Sequence, residues 1–226
     1  KLDSALKDYD GTQAAIEGSL ERLGLDYIAL KNIHAPQPWT AFREDNHYFE
    51  GNLAAWCAME KAYKAGRLRA IGVSNFQQVD IENLLQNGDV KPMVNQILAH
   101  VSNTPFALID YCHKHDILVE AYSPMGHGEM MKNRLVQDMA NRYGVSIARL
   151  CIRYCLQLGL LPLPKTANPE HMEANADVDF EISGQDMEIL KNVERIRNYG
   201  EASLFPVYGG KLDENGNYTP RDFFKE

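Results

Sequence analysis

The stretch RAIGVSNF, residues Arg69–Phe76, joins a short apolar strand at Ala70–Val73 to two polar side chains, Ser74 and Asn75. Ligands of a parallel α/β barrel lie at the carboxyl ends of its strands, so polar residues at such an end indicate a site. A Ser-Asn pair after a strand is equally typical of a helix N-cap. The segment alone leaves both interpretations open, and the rest of the chain has to decide between them.

Strands and helices alternate along the whole chain, which predicts parallel strands joined by helical crossovers. We predict five strands, at Tyr27–Ile33, Leu68–Val73, Met93–Ile97, Ile117–Tyr122 and Leu160–Pro164. Polar residues lie at the end of each, and these are His34, Ser74, Asn75, Gln96, Tyr122, Ser123, Lys165 and Thr166. An open doubly wound sheet concentrates its ligand contacts at one switch point, whereas a barrel gathers them from many strands around one mouth. The pattern therefore favours the barrel.

Apolar residues at helical spacing, often followed by glycine, predict the helices between these strands. They are Thr12–Leu23, Leu53–Ala65 with Asn52 as its N-cap, Val79–Leu85, Thr104–His115, Leu135–Tyr143, Ile147–Leu158, Pro169–Asn175 and Gly184–Val193. The chain reads as one barrel domain over residues 1–226, with an irregular tail over 198–226.

The bulk composition excludes several classes of protein. A net charge of -8 argues against a nucleic-acid surface, which requires a basic patch. No apolar run approaches the roughly 20 residues that span a bilayer, so we expect no membrane segment. The four cysteines show no metal-ligand spacing, so we expect free, buried thiols, no metal site and a cytoplasmic location.

Several motifs of nucleotide-binding and hydrolytic enzymes are absent from the sequence. It contains no GxGxxG fingerprint and no Walker loop. It also lacks the GxSxG elbow, because Gly72-Val73-Ser74 is not followed by glycine at the required position. A serine hydrolase is therefore a weak candidate.

Five segments resemble the aldo-keto reductases, in the order and spacing of that family. They are DYIALKNIHAP at Asp26–Pro36, RAIGVSNF, VNQI at Val94–Ile97, VEAYSPMG at Val119–Gly126 and LPKTANPEHMEAN at Leu163–Asn175. The resemblance implies a TIM (β/α)8 barrel that reduces a small-molecule aldehyde or ketone with NADPH or NADH. The cofactor would then carry out the redox step, and the protein would supply orientation and electrostatics.

The resemblance also implies roles for the strand-end residues around the reacting carbonyl. His34 matches the histidine that hydrogen-bonds and orients the substrate carbonyl. Ser74, Asn75 and Gln96 match the side chains that hold the nicotinamide carboxamide, a group that both donates and accepts hydrogen bonds. Tyr122 matches the aromatic residue on which the nicotinamide ring stacks.

Other residues match contacts to the remainder of the cofactor. Ser123 and Met125 match residues on the pyrophosphate side of the cofactor. Lys165 and Thr166 match the residues that bind the 2′-phosphate, and Asn175 matches the residue that contacts the adenine. His171 stands where the family usually has an arginine, which would give a permanently charged, bidentate clamp. We still favour NADPH because of Lys165, and the histidine in place of the arginine leaves NADH open as an alternative.

The pair Lys1-Leu2 resembles the end of the third barrel strand, whose lysine lowers the pKa of a catalytic tyrosine in the family. The family's aspartate and acid tyrosine precede that lysine. We therefore expect the first two βα units of the barrel to be absent from the chain as given. The alternative is a catalytically silent barrel that binds nicotinamide nucleotides but lacks the aspartate and the tyrosine.

Three segments match the loops that select the substrate in the family: Ala35–Gly51, Gly126–Asn133 and the tail from Asn198. Their aromatic residues suit an apolar or aromatic carbonyl compound. The expected pocket walls are Trp39, Phe49, Tyr199 and Phe205. If the chain is full length, we expect a monomer.

Overall fold

The computed structural model describes residues 1–213 and 215–219. Its main sheet has five parallel strands that lie side by side in chain order. These are β1 (Lys31–Ile33), β2 (Ile71–Ser74), β3 (Val94–Leu98), β4 (Leu118–Tyr122) and β5 (Leu161–Leu163). A doubly wound sheet reverses its strand order at a switch point, whereas a barrel does not. The predicted TIM-type α/β architecture is confirmed.

The sheet continues on the outer side of β1. Leu2 forms a parallel bridge with Ile33, and its backbone N–H donates to the carbonyl of Asn32 at 2.8 Å. This pairing places Lys1 beside the carboxyl end of β1.

Eight α-helices in the described residues pack around the sheet. They are α1 (Tyr9–Leu23), α2 (Phe49–Lys64), α3 (Gln78–Asn87), α4 (Phe106–Lys114), α5 (Arg134–Arg142), α6 (Ile147–Gln157), α7 (Pro169–Ala176) and α8 (Gly184–Lys191). Each predicted helix is confirmed, with ends that differ by up to four residues. Helix α1 begins earlier than predicted because the Asp8 carboxylate caps it, accepting the Gly11 N–H at 2.6 Å.

The prediction that Asn52 caps α2 is wrong. The helix begins three residues earlier, at Phe49, after Tyr48 in a left-handed conformation with φ 54°. Asn52 lies within the helix and is buried. Its amide donates to the backbone oxygens of Pro36 at 2.8 Å and His47 at 3.1 Å. Asn52 therefore fastens the preceding loop onto the helix.

Two buried polar side chains show how the helices are joined to the sheet and to the loop before β3. Lys31 makes β1 unusually polar, but its ammonium donates to the hydroxyl of Ser19 on α1 at 2.8 Å. Trp56 of α2 is fully buried, and its indole N–H donates to the Val90 carbonyl at 2.9 Å. Both pairings satisfy polar groups that would be costly to bury alone.

The tail is more regular than predicted. It contains two short 3₁₀ helices, Gly200–Leu204 and Pro206–Tyr208. It also contains an antiparallel pair of strands, β6 (Lys211–Leu212) and β7 (Tyr218–Thr219). Gly209 with φ 100° and Gly216 with φ 81° supply left-handed turns that other residues rarely adopt. Residue 214 and residues 220–226 of the predicted tail lie outside the described residues.

Cys112, Cys151 and Cys155 are buried and unpaired, as predicted, whereas Cys57 is half-buried. Burial raises the pKa of the Cys155 thiol to about 12. None of the helices in the described part of the chain is long and apolar enough to cross a membrane.

Candidate active site

Asn75 connects three strand ends. It follows β2 with φ 61°, so the chain turns sharply and the Asn75 side chain lies back over the sheet. Its amide N–H donates to the His34 carbonyl at 3.1 Å, and its amide oxygen accepts the Tyr122 hydroxyl at 2.7 Å. Helix α3 is capped by Gln77 instead, so Ser74 and Asn75 are not its N-cap. The interpretation of the Ser-Asn pair as a helix cap is therefore excluded.

Gln96 of β3 lies between two polar partners that strand register places beside it. It is paired with Ser74 on β2 and with Glu120 on β4. Its amide N–H donates to the Glu120 carboxylate at 2.5 Å, and its amide oxygen accepts a hydrogen bond from Lys1. These contacts fix which end of the Gln96 amide points to which neighbour.

The Lys1 ammonium lies among these strand ends. It donates to the hydroxyl of Ser74 at 3.3 Å as well as to Gln96, and it lies 5.9 Å from the centre of the Tyr122 ring. Burial lowers the pKa of the Lys1 side chain, and the negative charge of Glu120 opposes that shift.

His34 follows β1 and contacts Trp39, whose ring meets it edge to face at 5.1 Å. Burial, and then the positive charge of Lys1, lower the pKa of His34 to about 4. The imidazole is therefore neutral near pH 7, with one ring nitrogen able to donate a hydrogen bond and the other able to accept one.

A cavity of about 480 Å³ opens at these strand ends, and we call it the His34 cavity. This volume is within the range of pockets that hold small organic molecules. One side is polar and the other is apolar and aromatic, contributed largely by the tail. The lining residues are Lys1, His34, Trp39, Asn75, Gln96, Tyr122, His127, Phe205, Pro206, Val207, Tyr208, Leu212 and Tyr218.

The tail is attached to the end of β4 through Tyr208. The Tyr208 hydroxyl lies 2.8 Å from the hydroxyl of Ser123 and 2.8 Å from Nε2 of His127. Ser123 and His127 both have left-handed backbones, with φ 52° and 53°. Burial raises the pKa values of both Tyr122 and Tyr208, so neither phenol ionises near neutral pH.

The residues expected at the adenosine end of the cofactor lie beyond β5 and do not line the His34 cavity. Lys165 is exposed, and the Thr166 hydroxyl accepts the Asn168 N–H at 3.1 Å. His171 and Asn175 are both on α7. Burial, and then the positive charge of Lys165, lower the pKa of His127, which lines the cavity. Met125 is half-buried and packs against the hydrophobic core.

Of the four expected pocket walls, the structure brings Trp39 and Phe205 to the His34 cavity, and Phe49 and Tyr199 lie elsewhere. Phe49 stacks on the His47 ring at 5.1 Å, away from the cavity. Tyr199 is buried, and its hydroxyl lies 3.0 Å from Nε2 of His100.

Glu120 and His127 belong to the site but were missed from the sequence. Glu120 lies in the middle of β4, is 7% exposed and contacts Gln96. A charged residue in an apolar strand, two positions before Tyr122 and so on the same face, was the available signal. His127 offered no comparable signal, because its role depends on the distant Tyr208.

Comparisons with known proteins agree with this architecture. The Aldo/keto reductase family model matches residues 4–195. The glyoxal reductase of Bacillus subtilis is 39% identical over 193 residues, which are 85% of this chain and 66% of that protein. The 2,5-diketo-D-gluconic acid reductase B of a Corynebacterium species is 36% identical over 189 residues, 81% of this chain and 64% of that protein. The chain thus spans slightly less than two thirds of the length of these relatives.

Solved structures show the same similarity. An aldo-keto reductase from a Medee basin deep-sea metagenome library superposes with a TM-score of 0.77 at 32% identity, over 85% of this chain and 69% of that one. A Bombyx mori aldo-keto reductase in complex with NADP gives a TM-score of 0.76 at 29% identity, over 89% and 69% of the two chains. The chain belongs to the aldo/keto reductase family.

Proposed function

We propose that this protein reduces aldehydes or ketones to alcohols by hydride transfer from NADPH, with NADH as the alternative reductant. One observation carries the proposal. The Ser74, Asn75, Gln96 and Tyr122 side chains meet at the ends of three neighbouring strands, beside His34. The family relatives that are named glyoxal reductase and 2,5-diketo-D-gluconic acid reductase B are consistent with carbonyl reduction.

The residues present fit a nicotinamide. A carboxamide both donates and accepts hydrogen bonds, and the amides of Asn75 and Gln96 and the hydroxyl of Ser74 offer both kinds of group. These side chains would hold the carboxamide, and the Tyr122 ring would support the nicotinamide ring. When bound, the reduced nicotinamide supplies the hydride.

His34 would orient the carbonyl and polarise it. Since burial keeps its imidazole neutral, His34 can donate an N–H to the carbonyl oxygen without adding a charge of its own. The nearby Lys1 ammonium stabilises the negative charge that develops on that oxygen. The two residues therefore have different roles in the same cavity.

The apolar side of the His34 cavity would bind the body of the substrate and exclude water. Trp39 and the tail residues Phe205 and Val207 form much of this side. Apolar surface favours an apolar or aromatic carbonyl compound, and a drier cavity strengthens the hydrogen bond from His34.

We further propose that Lys165 and Thr166 bind the 2′-phosphate that distinguishes NADPH from NADH, with Met125, Ser123, His171 and Asn175 along the rest of the cofactor. An exposed ammonium and a hydroxyl suit a phosphate dianion. Lys165→Met should raise the dissociation constant of NADPH about tenfold and leave that of NADH nearly unchanged. Equal weakening of both cofactors would contradict this assignment.

The alternative of a catalytically silent barrel has no specific observation in its favour. The polar cluster at the strand ends opens into a cavity that has room for a substrate as well as a nicotinamide, and the curated relatives carry the names of reductases. We also propose a cytoplasmic protein, because the four unpaired cysteines fit a reducing compartment. For the full-length protein we propose a monomer. Light scattering of the purified protein tests the monomer.

The direct test of the proposed function is consumption of NADPH in the presence of small aldehydes, followed by absorbance. We expect saturable turnover that His34→Gln reduces on the order of 100-fold in kcat/KM, as for the loss of one donor to a developing oxyanion. His115→Gln is the matched control, because His115 is exposed at the end of α4. The absence of both NADPH binding and aldehyde turnover would contradict the proposal.

A further inference from the structure

A second cavity, of about 460 Å³, lies beside the His34 cavity, and three cations line it. Arg43 comes from the loop before α2, Lys191 from the end of α8, and Arg195 from the segment after α8. No aspartate or glutamate is among its described lining residues. The whole chain carries a net charge of -8, so this cavity locally reverses the sign of the protein. We call it the basic cleft.

The positive character extends beyond the basic cleft. An adjoining cavity of about 330 Å³ shares Arg43 and Arg195 with it, adds Arg197, and again has no carboxylate among its described lining residues. Lys191 is paired with Glu188 at 2.7 Å. In the described part of the chain Arg43, Arg195 and Arg197 form no ion pair. The Arg43 guanidinium lies 2.7 Å from the side-chain oxygen of Gln77, which is neutral, and the carboxylate whose negative charge acts on it is that of Asp80.

The loop that carries Arg43 is built to hold it in place. Arg43 has a left-handed backbone with φ 70°, which is strained for a residue other than glycine. Its N–H donates to the side-chain oxygen of Gln37 at 2.8 Å. Gln37 is 3% exposed, and its amide donates to the backbone oxygens of Glu44 and Asn46 at 2.6 and 2.8 Å. A buried glutamine thus fixes a strained turn at the position that presents the arginine.

The rest of the basic cleft suits an organic anion. Ser102, Asn103 and Thr104 contribute hydroxyl and amide groups, and apolar side chains complete the lining. The apolar lining residues are Ile97, Leu98, Val101, Pro105, Phe106, Leu108, Val193 and Val207. This combination favours a small molecule with an apolar body and one charged end, within the usual range of pocket volumes.

The basic cleft and the His34 cavity meet at three residues. Asn75, Tyr122 and Val207 line both of them, and Val207 also lines the adjoining cavity. A compound with its carbonyl group at His34 therefore reaches the basic cleft by extending past Val207.

We propose that the basic cleft binds a carboxylate at the far end of the carbonyl substrate, so that the enzyme prefers oxo acids to uncharged aldehydes. The inference rests on the proposed carbonyl reduction for the identity of the ligand. Arginine suits this task because its planar guanidinium is permanently charged and binds a carboxylate through two parallel hydrogen bonds. A phosphate of the cofactor is the other source of such an anion, and the experiment separates the two.

The test compares 4-formylbenzoate with the uncharged 4-methylbenzaldehyde as substrates. Arg43→Gln should raise KM for 4-formylbenzoate about tenfold, as expected for one lost hydrogen-bonded charge pair, and leave KM for 4-methylbenzaldehyde within about twofold. Arg43→Lys should retain part of the preference. Arg134→Gln removes the same charge from an exposed site on α5 and should change neither value.

Arg195→Gln is the second variant, since Arg195 is exposed and its replacement should not disturb folding. Calorimetric titration with 4-formylbenzoate measures its dissociation constant without turnover, and this value should rise in both variants. Equal losses for the two aldehydes, or a loss no larger than that in Arg134→Gln, would overturn the proposal. Weaker binding of NADPH in Arg43→Gln, whether or not binding of NADH weakens with it, would assign the cleft to a cofactor phosphate and overturn the proposal as well.

The outcomes also separate this inference from the proposed function. If the unaltered protein reduces 4-methylbenzaldehyde but gains nothing from the carboxylate, only the assignment of the basic cleft fails. If it binds and reduces neither aldehyde, the proposed carbonyl reduction fails.

Discussion

The two halves of the His34 cavity are built in different ways. The strand-end side is held by hydrogen bonds between strands. One joins Asn75, after β2, to Tyr122 of β4, and another joins Gln96 of β3 to Glu120 of the neighbouring β4. The tail side rests on a few phenol contacts, chiefly Tyr208 with Ser123 and His127. The strand-end residues are largely buried, whereas Phe205 of the tail is 46% exposed.

This difference corresponds to the two tasks that we propose for the cavity. A cofactor group that never changes is best held by side chains fixed through strand register. A substrate group that varies within a family is best met by loops, which tolerate sequence change on a rigid scaffold. The comparison therefore predicts large effects for changes in the strand-end side and smaller, more local effects for changes in the tail.

Asn75→Ala should have the largest effect on stability, lowering the free energy of unfolding by about 3 kcal/mol. The left-handed backbone accounts for about 1 kcal/mol, and the unpaired Tyr122 hydroxyl and His34 carbonyl account for about 2 kcal/mol. Urea unfolding measures the total. Asn75→Gly keeps the backbone freedom and should lose only the hydrogen-bond part. Equal losses in the two variants would show that the backbone strain is unimportant.

Acid should weaken the attachment of the tail through His100, which contacts Tyr199. Burial, and then the positive charge of Arg195, lower the pKa of His100 to about 4, against an ordinary value of 6.5. The unfolded chain therefore binds more protons than the folded protein between these values, and stability falls as the pH falls through that window. From about pH 7 to pH 5, the titration of His100 should by itself lower the free energy of unfolding by about 2 kcal/mol.

His100→Gln tests the source of this pH dependence. The variant lacks the titrating group, so its unfolding free energy should fall by about 2 kcal/mol less over the same pH range. His34 titrates in the same direction in both proteins and cancels from the difference. Parallel pH profiles for the two proteins would contradict the role of His100.

Tyr208→Phe should have a moderate and local effect. The substitution removes the hydroxyl that contacts Ser123 and His127, at a cost of about 1 kcal/mol. Amide hydrogen exchange should accelerate about fivefold over residues 199–208 and stay unchanged in β2. Acceleration in β2 would mean that the tail and the strand ends open as one unit.

Phe205→Ala and Phe49→Ala should have the smallest effects and differ from each other. Phe205 lines the His34 cavity, so its loss should raise KM for an aromatic aldehyde about threefold. Phe49 stacks on His47 outside that cavity, so its loss should change KM by less than about twofold. A larger effect of Phe49→Ala on KM would show that Phe49 contacts the substrate.

The strand-end side of the site was readable from the sequence because it follows a local pattern. An apolar run that ends in polar residues marks the carboxyl end of a parallel strand, and this pattern located Ser74 and Asn75 correctly at the end of β2, whereas Gln96 lies in the middle of β3. Helix spacing located the helices in the same way. The capping role given to Asn52 failed because a tertiary contact, from its amide to Pro36, outweighed the local preference.

The sequence located Phe205 of the tail in the pocket, but the contacts that hold the tail were not readable, because they join residues far apart in the chain. Tyr199 bonds to His100, and Tyr208 bonds to His127, and no periodic pattern connects these partners. Arg43 was missed for the same reason, since its surroundings come from α8 and the residues that follow it.

A crystal structure of the protein with bound NADP⁺ tests the central claim most directly, that the strand ends hold the nicotinamide. We predict the nicotinamide ring against Tyr122, with its carboxamide hydrogen-bonded to Asn75 or Gln96. A nicotinamide bound elsewhere, with the hydrogen bonds among Ser74, Asn75 and Gln96 unchanged, would contradict the account.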